Sequence, residues 1–295
     1  MNDHELWDLL RQAYATIVGR YEPVAERIVT ESGVDARTWG ILLAVLTFEP
    51  EATTPASFLM RGPYTAAEAY QSRLAATASK GYLAEVAPGQ YRLTETGRAA
   101  IEHFIAELRA AMAQADPLPH AEAALLGSLL DRLVLASRHT PPPPDTWSIS
   151  LSHRLLPATY PPLPYSEQLI SCLIAYRDDA HLAAWRPSVL SATALESLTL
   201  LWRGEADSLE ALCQKLAPRG HPRQVYAQAL AELRQRGFIA GPDETPRLTA
   251  AGQTFRDQVE AATDRYFFAP WNCLNAGEKE ELAGLLVRLR DELKT

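Results

Sequence analysis

One segment of this chain occurs twice, and any fold must accommodate both copies. The first reads Arg73-Leu-Ala-Ala-Thr-Ala-Ser-Lys80-Gly81-Tyr82-Leu83, then a short polar loop, then Tyr91-Arg-Leu93-Thr94-Glu-Thr-Gly97. The second reads Ala229-Leu-Ala-Glu-Leu-Arg-Gln-Arg236-Gly237-Phe238-Ile239, a polar loop, then Pro246-Arg-Leu248-Thr249-Ala-Ala-Gly252. Gly81 and Gly237 stand 156 residues apart, and Gly97 and Gly252 stand 155 apart, so one loop residue accounts for the difference. The physical content is the same in both. A helix ends in a basic residue, which suits its negative end. Gly then supplies the left-handed conformation that stops the helix. An aromatic-aliphatic pair starts a strand, a loop reverses the chain, and a second strand ends in Leu-Thr, with Thr placed to cap the next helix.

This order matches the back half of a winged helix-turn-helix. The front half is present twice as well. Trp39 to Phe48 and Ala194 to Trp202 read as apolar helices, and Thr54 to Met60 and Ser208 to Leu216 as short second helices. Turns at Gly62-Pro63 and Pro218-Arg-Gly220 lead into third helices, in which Tyr70 pairs with Tyr226 and Leu74 with Leu230. Capping boxes are expected at Thr65/Glu68, Thr193/Glu196, Asp207/Glu210 and Asn275/Glu278.

The flanks extend the symmetry. Apolar residues at spacings of three and four predict a long helix over about 5–30, where Pro23 predicts a kink or an end. Its counterpart covers about 165–185. Paired helices follow at 96–114 and 120–137, and again at 250–266 and 276–293. Between the halves, His139 to Tyr165 holds eight of the 21 Pro and reads as an extended connector whose Trp147, Ile149 and Leu151 pack on the body. The expected architecture is therefore mostly α with small β-wings, two winged helix-turn-helix units related by duplication, and long flanking helices. Its domains are 1–138, 139–164 and 165–295.

A helix before and two helices after a winged unit resemble the MarR-type transcriptional regulators, whose flanking helices form a homodimer interface. Two such units in one chain imply a single-chain pseudo-dimer that binds double-stranded DNA and answers to a small effector. The second half also resembles an actinobacterial helix-turn-helix family, through Asp178-Asp-Ala-His-Leu-Ala-Ala-Trp185, Leu248-Thr-Ala-Ala-Gly252, Val259-Glu-Ala-Ala-Thr-Asp264 and Pro270-Trp271.

The net charge is −8, so DNA contact must come from local patches rather than bulk attraction. In the first unit Gln71, Arg73, Lys80 and, on the wing, Arg92 are the candidates, opposed by Glu68 and Glu85. The second unit is richer. Arg219, Arg223, Gln224 and Gln228 gather at the start of its third helix beside His221, and Arg and Gln can read guanine and adenine edges. Its wing offers Arg247 against Asp243 and Glu244.

A ligand site is the competing reading. Asp178 and His181 share one helical face, with Trp185 and Arg186 one turn on. If the helix at 165–185 packs on that at 250–266, Asp178, His181, Trp185, Arg186, Asp264 and Trp271 are expected to line one pocket. The plainer alternatives are a surface Asp–His pair, a structural salt bridge, and aromatics that are simply core.

No G-x-S-x-G elbow, phosphate-binding Gly loop or G-x-G-x-x-G is present, so neither an enzyme nor a cofactor is expected. Tandem winged-helix DNA glycosylases carry a Gln-x-Gln motif that this chain lacks. The seven His are scattered and the three Cys, Cys172, Cys213 and Cys273, form no metal or disulfide pattern. No apolar run approaches the roughly 20 residues of a membrane helix, and the acidic start is unlike a secretory signal. No membrane partner and a cytoplasmic location are expected. Two readings remain open: a MarR-like DNA-binding regulator, or a ligand- or protein-binding molecule on a winged-helix scaffold that no longer contacts DNA.

Overall fold

The computed structural model describes residues 1–140, 147–157 and 162–294. The chain is mostly helical, with few short strands. It begins with α1 (Asp3–Ser32), capped by an Asn2/Glu5 capping box and continuing past Pro23 without ending. Then come α2 (Ala36–Phe48), α3 (Pro55–Arg61), α4 (Ala67–Ser79), the antiparallel pair β1 (Leu83–Ala87) and β2 (Gln90–Leu93), α5 (Glu95–Ala113) and α6 (His120–His139). The short α7 (Trp147–His153) precedes α8 (Pro162–Trp185). The order of α2 to α5 then recurs as α9 (Ala192–Trp202), α10 (Leu209–Lys215), α11 (Arg223–Gln235), the pair β3 (Ile239–Ala240) and β4 (Arg247–Leu248), and α12 (Ala250–Phe268). A 3-10 turn, Ala269–Cys273, leads to the last helix, α13 (Ala276–Glu292).

The repeated motif has the same atomic basis in both places. Thr94 and Thr249 cap α5 and α12, accepting from the backbone of Gly97 and Gly252. Each Thr hydroxyl donates back to the glycine that ends the preceding third helix, Gly81 (2.8 Å) or Gly237 (2.6 Å). Each Thr amide donates to the carbonyl of the aromatic residue, Tyr82 (3.1 Å) or Phe238 (3.0 Å). Those carbonyls lie so close that a Cβ at Gly97 would sit 2.0 Å from Tyr82 O, and one at Gly252 2.1 Å from Phe238 O. Only glycine fits, so Leu-Thr-x-x-Gly is a packing requirement in both copies.

Among the described residues three apolar clusters form the core. One lies inside α2–α5, around Trp39, Leu42, Leu74 and Tyr91. A second lies inside α9–α12, around Leu195, Leu198, Tyr226 and Leu230. The largest is built jointly by α1, α6, α8, the end of α12, the 3-10 turn and α13, with Leu10, Leu130, Leu173, Phe267, Trp271 and Leu286 among its buried residues. Burying each such side chain is worth roughly 1.5–3 kcal/mol, so this shared cluster joins both halves of the chain.

Three expected capping boxes are not used. Helix α4 starts after Ala66 without a side-chain cap, while α9 and α10 are capped by Ser191 and Ser208 rather than Thr193 and Asp207. Glu196 is drawn instead to Arg219, and Glu232 to Ser191. The Asn275/Glu278 box forms as expected.

The connector is not simply extended. Residues 141–146 and 158–161, with Pro141 to Pro144 and Pro161, lie outside the described residues, but α7 sits between them and α8 already begins at Pro162. Asp179 explains why α7 docks. Its buried carboxylate accepts from the amides of Ser148 and Ile149 (both 3.0 Å) at the α7 N-terminus, where negative charge is favoured. Gln168 donates to the Ser152 carbonyl at the other end (3.0 Å). Arg154 then reaches the carbonyls of Thr47 and Glu49 (both 2.8 Å) at the end of α2. Among the described residues no helix is long and apolar enough to cross a membrane, and no group of three His, Cys, Asp or Glu side chains is set to hold a metal ion.

Candidate functional site

The two third helices, α4 and α11, present different faces to solvent. On α4 the exposed residues are Glu68, Ser72, Ala75, Ala76 and Ser79, which offer no positive charge. The basic and amide side chains expected to read DNA there are engaged internally. Arg73 donates to the Pro218 carbonyl (3.0 Å), and Gln71 donates to the Tyr91 hydroxyl (2.9 Å). Lys80 is bonded to Asp35 (2.6 Å) and to the Thr38 hydroxyl, and these bonds hold the Asp35 carboxyl far below its usual range. Arg92, on β2, is exposed, and so is the ion-paired Lys80.

On α11 the arrangement is the reverse. Arg223, Gln224 and Gln228 are all exposed over its first turns, and Arg247 is exposed on the neighbouring hairpin. Asp243, expected to repel phosphate, is ion-paired to Arg234, which leaves Glu244 as the exposed acid of that loop. Arg219 does not belong with this group. Its guanidinium donates through Nε (2.9 Å) and Nη2 (2.6 Å) to Glu196 and lies over the Tyr64 ring.

The starts of α4 and α11 meet. The Ala66 amide donates to the Arg219 carbonyl (2.9 Å), and His221 Nε2 donates to the Tyr64 carbonyl (3.0 Å). Gly220, at φ 76°, approaches so closely that a Cβ there would lie 2.9 Å from the Ala69 Cβ. Both helices have 13 residues, or about 20 Å of length. Joined at their N-termini, they cannot enter successive major grooves about 34 Å apart. The seam between the two three-helix runs thus covers the N-terminal end of α4.

Behind this seam lies a cleft. Two cavities flank a shared set of Tyr64, Asp178, His181 and Arg219. One, of about 400 Å³, is walled by Phe48, Phe58 and Tyr70, with Phe58 and Tyr70 stacked at 4.7 Å. The other, of about 430 Å³, lies among α8, α9 and α12 and is lined mainly by charged groups. Asp178 borders both, and among the described residues its carboxylate has no hydrogen-bond partner. Desolvation in the cleft raises its pKa, opposed by Arg61 and Arg177. The Thr263 hydroxyl donates to the Val259 carbonyl (2.8 Å), so it accepts from His181 Nδ1 (3.3 Å), leaving His181 Nε2 as an acceptor. Burial, then the charges of Arg256, Arg177 and Arg203, push the His181 pKa down to about 4 against the pull of Glu260. The imidazole is neutral at pH 7.

The six expected ligand residues are not brought together. Asp178 and His181 reach the cleft, but Trp185 is buried in the second-unit cluster and Trp271 in the central one. Asp264 pairs with Arg177 (2.8 Å), and Arg186 donates to the Met60 carbonyl (2.8 Å). Large aromatics at helical spacing filled apolar cores, where each buries the most surface. The opposite wall comes instead from α2, α3 and Tyr64, which no pattern in the second half could reveal. Arg177, Arg203 and Arg256 were also missed. Arg256 did leave a signal: it lies in the buried stripe Gly252, Arg256, Val259, Thr263, Phe267 of α12, where a charge requires a partner.

No curated protein and no solved structure matches the chain. A model described as a helix-turn-helix family matches residues 44–295. That span runs from inside α2, through both three-helix runs and their hairpins, to the C-terminal residue, and so the chain belongs to a helix-turn-helix family.

Proposed function

We propose that this protein is a DNA-binding regulator of MarR-like arrangement. In this reading one chain carries two winged units of common descent, in halves 1–138 and 165–295 joined by 139–164. Duplex DNA is contacted by the second unit alone, and the chain acts as a binder rather than an enzyme, in the cytoplasm. The observation that carries the reading is the exposed Arg223, Gln224 and Gln228 on α11, beside Arg247, with Asp243 neutralised by Arg234. A small effector in the cleft would act through the seam, because Arg219 and Tyr64 belong to both. Such a ligand shifts DNA affinity only if it binds the two arrangements of the seam differently.

One observation favours a second reading. The reading end of α4 is covered, as expected of a scaffold that has given up DNA contact. Fluorescence anisotropy with mixed duplex fragments at low salt separates the two. Binding that falls roughly tenfold or more in Arg223→Ala, and is unchanged in Lys80→Ala, supports DNA contact through α11. No binding to any duplex at low salt, where phosphate contacts are strongest, overturns it in favour of the scaffold.

A further inference from the structure

The charged cavity of the cleft has a composition that the DNA reading does not use. Five arginines — Arg11, Arg177, Arg203, Arg219 and Arg256 — line it, against the three carboxylates of Asp178, Glu196 and Glu260. Arginines thus outnumber carboxylates on this lining although the chain's net charge is −8. Some of these charges are paired. Arg219 holds Glu196 (2.6 Å), Arg256 holds Glu260 (2.5 Å), and Arg177 holds Asp264 (2.8 Å). Among the described residues Arg203 and Arg11 have only longer ion-pair contacts, to Glu205 (3.8 Å) and Asp8 (3.6 Å).

The pairing leaves donors over. Arg256 is 2% exposed, with Nε on the Thr199 hydroxyl (2.9 Å), yet among the described residues its buried Nη1 has no hydrogen-bond partner. Arg177 Nη1 is in the same condition. Buried N–H groups of a guanidinium are costly to leave unmade, and their planar fork matches an oxyanion better than any other acceptor. His181 beside them is neutral and adds no charge of its own.

We propose that the cavity among α8, α9 and α12 binds the oxyanion head of a small molecule, such as a phosphate monoester, through Arg177, Arg203 and Arg256. This deepens the effector reading of the cleft and rests on it, but it does not depend on DNA contact. The aromatic cavity across Tyr64 and His181 is placed to take an apolar body attached to that head.

The test is titration of the full chain with inorganic phosphate, by calorimetry and by NMR, against chloride at equal ionic strength. Saturable binding is expected at one site per chain, with the ring signals of His181, identified by His181→Gln, moving in step. Arg203→Gln and Arg177→Gln should each weaken binding roughly tenfold or more. Arg203 is half exposed, so its replacement leaves the fold intact even if Arg177→Gln does not. No saturation beyond the chloride control, or unchanged binding in Arg203→Gln, overturns the proposal. Phosphate binding that survives in a chain with no affinity for duplex DNA refutes only the DNA reading. DNA binding without phosphate binding refutes only this one.

Discussion

Replacing Gly252 or Gly97 with Ala tests the atomic basis of the repeated motif. Each glycine is a buried residue in the first turn of its helix, where Gly→Ala by intrinsic propensity alone should stabilise by roughly 0.5–1 kcal/mol. The tertiary structure reverses the sign. The new Cβ would meet Phe238 O at 2.1 Å or Tyr82 O at 2.0 Å, both backbone atoms, so helix and strand must separate by more than 1 Å. That movement breaks a shared set of bonds. In the second unit these are Thr249 N to Phe238 O, Thr249 Oγ1 to Gly237 O, and Gly252 N to Thr249 Oγ1. At about 1 kcal/mol each, with about 1–3 kcal/mol for overpacking, the cost is roughly 4–6 kcal/mol in either unit. Gly284→Ala is the control, since that glycine is exposed within α13 with open space around it, and it should stabilise slightly. Urea unfolding followed by circular dichroism measures all three. Should Gly252→Ala or Gly97→Ala behave like Gly284→Ala, the shared account of Leu-Thr-x-x-Gly is wrong.

Two further predictions concern the central body. Burial raises the Glu167 pKa to about 7, partly offset by Arg109, so the folded chain keeps a proton that the unfolded chain releases near 4.5. Stability should therefore fall as pH rises from about 4.5 to 7, and urea midpoints measured at pH 5 and pH 8 should lie closer together in Glu167→Gln than in the parent. Trp271 is fully buried against Phe267 and Phe268, so Trp271→Ala should cost roughly 3–5 kcal/mol. Phosphate titration of the folded variant should be unchanged, since Trp271 lines neither cavity.

Much of the local structure was legible because its causes are local. The left-handed stops at Gly81 and Gly237 and the caps at Thr94 and Thr249 involve residues near in sequence, so their pattern survives in the text of the chain. Even locally, a long-range partner could win: Glu196, read as half of a capping box, is taken by Arg219, 23 residues away. The candidate sites were legible only in part. Asp178 and His181 do face a cleft, but neighbouring Asp179 serves to cap α7, a difference set by which helix lies against each face.

By itself the sequence determined the order of helices and hairpins, the glycines that stop α4 and α11, and the richer basic face of α11. Periodicity and capping chemistry act within a few residues and need no knowledge of what lies opposite. Only the tertiary structure decided how the two three-helix units meet. It placed Arg73 and Arg219 in the seam rather than on DNA, and drew Arg177, Arg203 and Arg256 together around His181. Those outcomes depend on backbone carbonyls and charges more than 50 residues apart in the chain, such as Arg73 with Pro218 and Arg256 with Thr199. No spacing rule carries that information.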